Sequence, residues 1–423
     1  EAWEKRSYAA AGLNLENAIK VRGTEFDEAY HPVWVTGNAA FAFSLPRAAG
    51  FNYRSLYNVN EPATFSVRAQ FEDEDAIARM KADRFGDVLG VFADPTISVM
   101  PAPYCGVKAI GTHHDVARKL GVAALKKAGM TGKKVRIAVV DTGIDGSQIP
   151  VRGGWSPVPD YQPGTAPPTH GTMVAFDTRL AAPDATILDY ALLQSSGLSW
   201  SALLSDAISA FANLIALLQT APGPLVVNNS WGMYNRAEDA PIGSPENYSA
   251  NPDHPFNQIV GSLVGAGADV LFAAGNCGAE CPDGRCGLED IGPGASIHGA
   301  NSHPDVITVA AVTVTDRRLG YSSQGPGGLY RRKPDVAAYS HFVGSGIYPA
   351  DTGTSAACPV AAGVVAALRQ KVNAKRRPPS SMKGLLQRTA IDLQKDGWDY
   401  DIGYGVINAA AAVKALELTA RKK

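Results

Sequence analysis

Net charge is what this chain most lacks: 39 Lys and Arg against 40 Asp and Glu leave a formal charge of −1 over 423 residues. With no basic excess there are few counterions to release, which argues against nucleic acid or an anionic membrane surface as a partner. Long apolar runs are missing too. No stretch reaches the roughly 20 residues that a spanning helix needs, so no membrane span is expected. Cysteine is sparse and odd in number, five in all, which lends no support to an exported chain with every thiol paired. An initiating Met is absent as well. The chain opens on Glu1 with no visible signal peptide, and is expected to be a processed or trimmed form. What remains is ordinary for a soluble globular protein, with 45% hydrophobic and 19% charged residues. The length suggests two or three domains and a core that is easily buried.

Against that plain background three short words stand out in order: Asp141-Thr142-Gly143, His170-Gly171-Thr172 and Gly353-Thr354-Ser355. Each sets a reactive side chain among Gly and Thr, where the backbone turns sharply. Asp, His and Ser are the three parts of a nucleophilic acyl-transfer site. A serine hydroxyl is weak until an imidazole removes its proton, and a carboxylate fixes that imidazole's tautomer. The order Asp, His, Ser is one of three known orders that reach the same geometry.

The flanking residues extend these words into a family likeness. Lys134 to Asp145 reads as a strand and turn around Asp141, His170 to Ala175 as a histidine motif, and Gly353 to Pro359 as a serine motif. Asn228-Asn229-Ser230-Trp231-Gly232 and Ala273-Ala274-Gly275-Asn276 lie between them. Tyr321 to Pro326, Lys333 to Val336 and Gly403 to Asn408 supply further landmarks. From roughly Gly121 to Leu416 the chain resembles the subtilisin-like serine proteases, peptidase family S8. The resemblance implies an α/β fold with a largely parallel sheet flanked by helices, and a smaller α+β propeptide-like domain at the N-terminus.

The apolar patterning agrees with alternating strands and helices. Runs at Val135–Val140, Thr186–Leu193, Leu225–Asn228, Val270–Ala274 and Val306–Val312 are expected to be buried strands. Helical patterns are expected at 115–129, 200–219, 256–265 and 356–368. Upstream, residues 1–62 have no clear period beyond a candidate strand at Phe41–Leu45. Residues 63–97 read as a β-α-β unit similar to part of a propeptide: Phe65, Val67, Ala69 and Phe71 alternate, a helix covers 72–81, and a second strand falls at Val88–Val91. Residues 98–112 read as a linker rich in Pro, Gly and Ala, where a propeptide tail would have to pass through the active-site cleft, ahead of a main domain at 113–423.

The resemblance assigns Ser355 as nucleophile, His170 as general base and then acid, and Asp141 as the group that orients His170, leaving Asp145 to a turn. Asn276 is expected to donate its amide to the tetrahedral oxyanion. Ser230, Trp231 and Gly232 are expected to pair with an extended substrate and form one pocket wall, although Trp231 reads equally well as core. Ala273, Ala274 and Gly275 would form the other wall. Being small and apolar, they suggest an apolar or unselective primary pocket, with Glu280 and Asp283 the nearest carboxylates in sequence.

Cys277, Cys281 and Cys286 follow Asn276 directly, a departure from the family's simple turn. They admit three readings: a disulfide with one thiol left over for Cys105, reduced thiols, or a zinc site completed by His298 or His303. Cys358 reads as an apolar filler, and Met173 as a packing substitute for a second histidine.

These expectations amount to a serine endopeptidase acting on protein or peptide substrates. Its chemistry needs no cofactor. Structural calcium is common in the family but no residues here are assigned to it. The N-terminal region is a candidate inhibitor, and family habit favours export over the cytoplasm. Three alternatives stay open: a zymogen activated by a partner, a peptidase that ligates or macrocyclises, and a silent peptide-binding module.

Overall fold

The computed structural model describes residues 21–27, 29–30, 32–34, 65–82, 88, 90–99, 108–194, 200–393 and 397–421. Its strands are β1 (Thr24–Phe26), β2 (Val33–Trp34), β3 (Phe65–Ser66), β4 (Ala69–Phe71), β5 (Thr96–Val99), β6 (Arg136–Asp141), β7 (Val151–Trp155), β8 (Thr186–Ala191), β9 (Ser201–Leu203), β10 (Leu225–Asn229), β11 (Trp231–Gly232), β12 (Asp269–Ala273), β13 (Ile307–Val312) and β14 (Val336–Tyr339). Its α-helices are α1 (Glu74–Lys81), α2 (His113–Leu120), α3 (Val122–Lys127), α4 (His170–Thr178), α5 (Leu204–Thr220), α6 (Pro255–Gly265), α7 (Thr354–Arg369), α8 (Pro379–Thr389) and α9 (Ala409–Arg421).

Seven strands make the central sheet, in the order β14-β13-β12-β10-β6-β8-β7, with every neighbouring pair parallel. Parallel strands buried on both faces read as continuous apolar runs, which is why five of the seven were visible in the sequence. Their side chains split by alternation. Ile137, Val139, Val226 and Leu271 join a core with α4, α7 and α8, while Ala138, Val140, Val227 and Phe272 join a second core with α5 and α6. The sheet is therefore covered on both sides.

Two expected helices begin differently from their pattern. The 115–129 stretch is two helices, because Gly121 adopts φ 78° and ends α2 before α3 starts. Residues 201–203 form β9 instead of the first turn of α5, because they pair with β5.

The alternating run from Phe65 to Phe71 is not one strand: β3 pairs with β2 and β4 with β1, both antiparallel, with a break at residues 67–68. The second strand expected at 88–91 is absent among the described residues there, since positions 88, 90 and 91 are irregular. The strand is β5, four residues in a stretch that crosses from the expected propeptide unit into the expected linker. It forms there because it finds hydrogen-bonding partners on both edges, β11 on one side and β9 on the other. The candidate strand at 41–45 and residue Cys105 lie outside the described residues.

The N-terminal strands are fastened to α5. Arg68 bonds the Ser205 hydroxyl at 2.8 Å and Asp27 at 3.2 Å, and pairs with Asp206 at the first turn of that helix. Its guanidinium lies 4.6 Å from the centre of the Tyr30 ring, and Tyr30 donates its hydroxyl to Ser205 O.

Candidate functional site

Asp141 is the last residue of β6 and His170 the first of α4. Both are buried, and His170 Nδ1 lies 2.8 Å from Asp141 Oδ1. Thr142 N–H donates to the same carboxylate oxygen at 2.8 Å, so the carboxylate is held from two sides. The Thr142 hydroxyl in turn accepts from Gly171 N–H at 2.9 Å. Glycine at 171 is a packing requirement: a Cβ there would stand 2.3 Å from Gly143 O. The two words are thus locked back to back. With Nδ1 turned to the carboxylate, Nε2 of His170 is buried and meets no hydrogen-bond partner among the described residues.

Ser355 sits in the first turn of α7, after Gly353 at φ 79°, a conformation that favours glycine. Its hydroxyl donates to Ser230 O at 3.4 Å, and the Ser230 hydroxyl donates to Ser355 O at 3.1 Å. The dipole at such a helix start favours negative charge. Asn276 follows β12, and its Oδ1 accepts from both Thr354 N–H and the Thr354 hydroxyl at 3.0 Å. Those two bonds fix which end of the amide carries nitrogen. Thr354 also accepts from Gly275 N–H at 3.1 Å, so one residue ties the serine helix to the asparagine segment.

The expected pocket walls lie on neighbouring strand ends. Ala273 closes β12 and Trp231 opens β11. Asn301 bridges them, donating from Nδ2 to Trp231 O and to Ala273 O, each at 2.9 Å. The Trp231 side chain is fully buried against Phe256 and Phe272, so it serves the core while its backbone pairs with Val99. Asp283 is not a free carboxylate at the pocket base, because Arg285 neutralises it at 2.9 Å.

β11 already has a strand beside it. β5 runs antiparallel to β11, with Val99 opposite Trp231 and Ser98 opposite Gly232, and antiparallel to β9 on its other edge. Val99 N–H donates to Trp200 O at 3.3 Å. Ile97 and Val99 are buried, while Thr96 is exposed. Sequence reading expected a propeptide tail to cross the cleft within residues 98–112 and missed that the chain forms a strand there, beginning at Thr96. Its signal was a short alternating run, Thr96-Ile97-Ser98-Val99, directly after Asp94-Pro95. It also missed Tyr234 and Arg285, which both reach Val99 O at 3.0 Å.

The cysteine loop resolves toward disulfides. Cys277 is bonded to Cys286, and Cys281 is itself disulfide-bonded. That pairing removes these thiols from the zinc reading. His298 faces Asp290 at 3.5 Å instead. No group of three or more His, Cys, Asp or Glu side chains among the described residues is arranged to hold a metal, so a calcium site is not assigned. Cys358 is a buried free thiol, its pKa pushed up by burial, as suits a filler. Met173 is likewise buried. Asp145 accepts from Ser147 N–H at 2.9 Å, a turn contact. No described helix is long and apolar enough to cross a membrane.

Residues 132–405 match the family model for peptidase S8, the subtilase family. The chain is 29% identical over 307 residues to subtilisin E of Bacillus subtilis (strain 168), covering 69% of this chain and 68% of that one. It is 29% identical over 316 residues to fervidolysin of Fervidobacterium pennivorans, covering 67% and 41%. Among solved structures, MycP1 with its N-terminal propeptide removed superposes at a TM-score of 0.53 with 19% identity, covering 71% of this chain and 96% of that one.

Proposed function

Because the chain belongs to the subtilase family of serine endopeptidases, we propose that Ser355 attacks the substrate carbonyl and carries the acyl group. His170 takes the serine proton on Nε2 and returns it to the leaving amine. Asp141 holds the Nδ1–H tautomer and stabilises the imidazolium that forms. The oxyanion is met by the Asn276 amide and the start of α7. The observation that carries this reading is the 2.8 Å contact from His170 Nδ1 to Asp141, which leaves a buried, unpartnered Nε2 lone pair. Substrate backbone would pair with Ser230, Trp231 and Gly232, with Ala273, Ala274 and Gly275 lining the primary pocket. A fluorophosphonate should label the chain once, and Ser355→Ala should abolish the label; persistent labelling elsewhere would sink the assignment.

β5 lies where a substrate strand would lie, hydrogen-bonded on both edges. It supports the N-terminal region acting as an internal inhibitor that must be displaced or cut before substrate enters. Its tether to α5 through Arg68 keeps it at high effective concentration. Export is supported by the Cys277–Cys286 bond, since disulfides persist in oxidising compartments.

A further inference from the structure

Arg285 lies on the loop closed by the Cys277–Cys286 bond, one residue before Cys286. Most of its guanidinium is already committed. Nε and Nη2 donate to the two oxygens of Asp283 at 3.0 and 2.9 Å, and its own N–H donates to Asp283 at 3.0 Å. The plane lies 4.0 Å from the centre of the Tyr234 ring, a stacking arrangement that Arg favours. Asp283 N–H donates to Asn276 O at 2.9 Å, so this anchor is built onto the residue proposed to hold the oxyanion. Neighbouring Asp283 and Tyr234 hold the guanidinium charged, with a raised pKa despite its partial burial.

What this fixed group touches is the cleft strand. Nη2 donates to Val99 O at 3.0 Å and Nη1 to the Ser98 hydroxyl at 2.9 Å. The Tyr234 hydroxyl donates to the same Val99 carbonyl at 3.0 Å, so both lone pairs of that oxygen are used. The two contacts differ in kind. Every peptide has a carbonyl at the Val99 position, so that bond supplies affinity without selection. The bond to Ser98 depends on the side chain opposite Gly232.

We propose that Arg285 is a specificity-determining residue which, once β5 leaves, grips the incoming strand and selects a hydrogen-bond-accepting side chain opposite Gly232. The proposal rests on the reading that substrate replaces β5 in the cleft. A hydroxyl or carboxylate there meets Nη1 directly, an alanine leaves that donor to water, and a lysine sets two cations side by side. The arginine side chain is 40% exposed, so the selection is graded, with charge-assisted hydrogen bonds outranking neutral ones.

The test uses quenched peptides of sequence Thr-Ile-X-Val extended on both sides, with X as Ser, Asp, Ala or Lys, cleaved by the full chain. Competition from β5 scales every peptide equally, so ratios of kcat/KM within one enzyme are free of it. Asp and Ser should exceed Ala by about three- to tenfold and Lys by more than tenfold. In Arg285→Gln these ratios should collapse toward one, and Arg285→Lys should restore only the preference for Asp. The same contact is read inside the chain by fluorophosphonate labelling. Ser98→Lys should speed labelling in the parent and not in Arg285→Gln. Unchanged ratios and an unchanged Ser98→Lys effect in Arg285→Gln would overturn the proposal. Loss of labelling in the parent itself would instead overturn the reading of Ser355.

Discussion

Val99 pairs with Trp231, placing residues from upstream of the main sheet against β11, the strand proposed to line the cleft. Ile97, two positions earlier, is fully buried in the core that contains Trp231 and Phe211. Ile97→Asp would bury a carboxylate with no partner, which costs more than a short strand can offset. β5 should then leave the cleft. Fluorophosphonate labelling of Ser355 should accelerate at least about tenfold, a shift in the closed population worth about 1.4 kcal/mol. Equal labelling rates, with circular dichroism unchanged, would show that β5 does not restrict access.

Thr354 contributes its hydroxyl to both Asn276 Oδ1 and Gly275 N–H. Thr354→Val keeps the shape and deletes that hydroxyl, so Oδ1 of Asn276 loses one of the bonds that orient the amide. A fall in kcat of about tenfold with little change in KM is expected, consistent with losing roughly one buried hydrogen bond. Thr354→Ser should recover most of the rate. Asn276→Ala removes the donor itself and should cost about 10²–10³ in kcat. If Thr354→Val changed KM and left kcat intact, its hydroxyl would serve substrate binding and not the oxyanion.

How much of this was legible in the sequence follows from what kind of contact each feature uses. β6, β8, β10, β12 and β13 are buried on both faces and announce themselves as apolar runs. β7 did not, since Val151-Arg152-Gly153-Gly154-Trp155 is an edge strand with three exposed residues and two glycines. β5 was harder still. Four residues carry little periodicity, and its stability comes from partners more than 100 positions away at β9 and β11. Arg285 was hidden for the same reason, because its contacts with Ser98, Val99 and Tyr234 are all remote in sequence. The Asp141, His170 and Ser355 words were readable because tight turns force glycine and threonine beside them. The pairing of Cys277 with Cys286 was not, since spacing alone left three outcomes open.

Asp141 accepts from His170 and from Thr142 N–H through the same oxygen. Asp141→Asn keeps the size and offers an amide in place of the carboxylate, which permits the wrong imidazole tautomer. On the serine-protease template this costs about 10⁴ in kcat with the fold intact. Thermal melting should therefore change little while turnover is almost lost. A loss below about tenfold would mean that His170 is oriented by something other than Asp141.

Three buried histidines weaken the fold in acid, while buried carboxylates with raised pKa values, Asp177 and Asp189 among them, act in the opposite direction. Burial lowers His254, His298 and His303 from 6.5 to about 4. His254 accepts from Phe256 N–H on Nδ1, faces Ala93 O through Nε2 and feels Asp239. His298 faces Asp290, Arg236 and Asp239, and His303 faces Asp305, Lys333 and Lys383. In the unfolded chain these rings protonate near 6.5, while in the fold they resist until about 4. The unfolded state therefore binds more protons across that window, and linkage requires stability to fall as pH falls through it. The stabilisation is fully present above the unfolded value and gone once pH drops below about 4. Each ring can contribute a slope of up to about 1.4 kcal/mol per pH unit. Urea unfolding at pH 7, 5.5 and 4.5 should show a steadily falling midpoint. His254→Gln, which keeps an acceptor for the helix start and cannot protonate, should make the midpoint less sensitive to acid than in the parent. A slope unchanged in His254→Gln would mean that this ring is already charged in the folded protein.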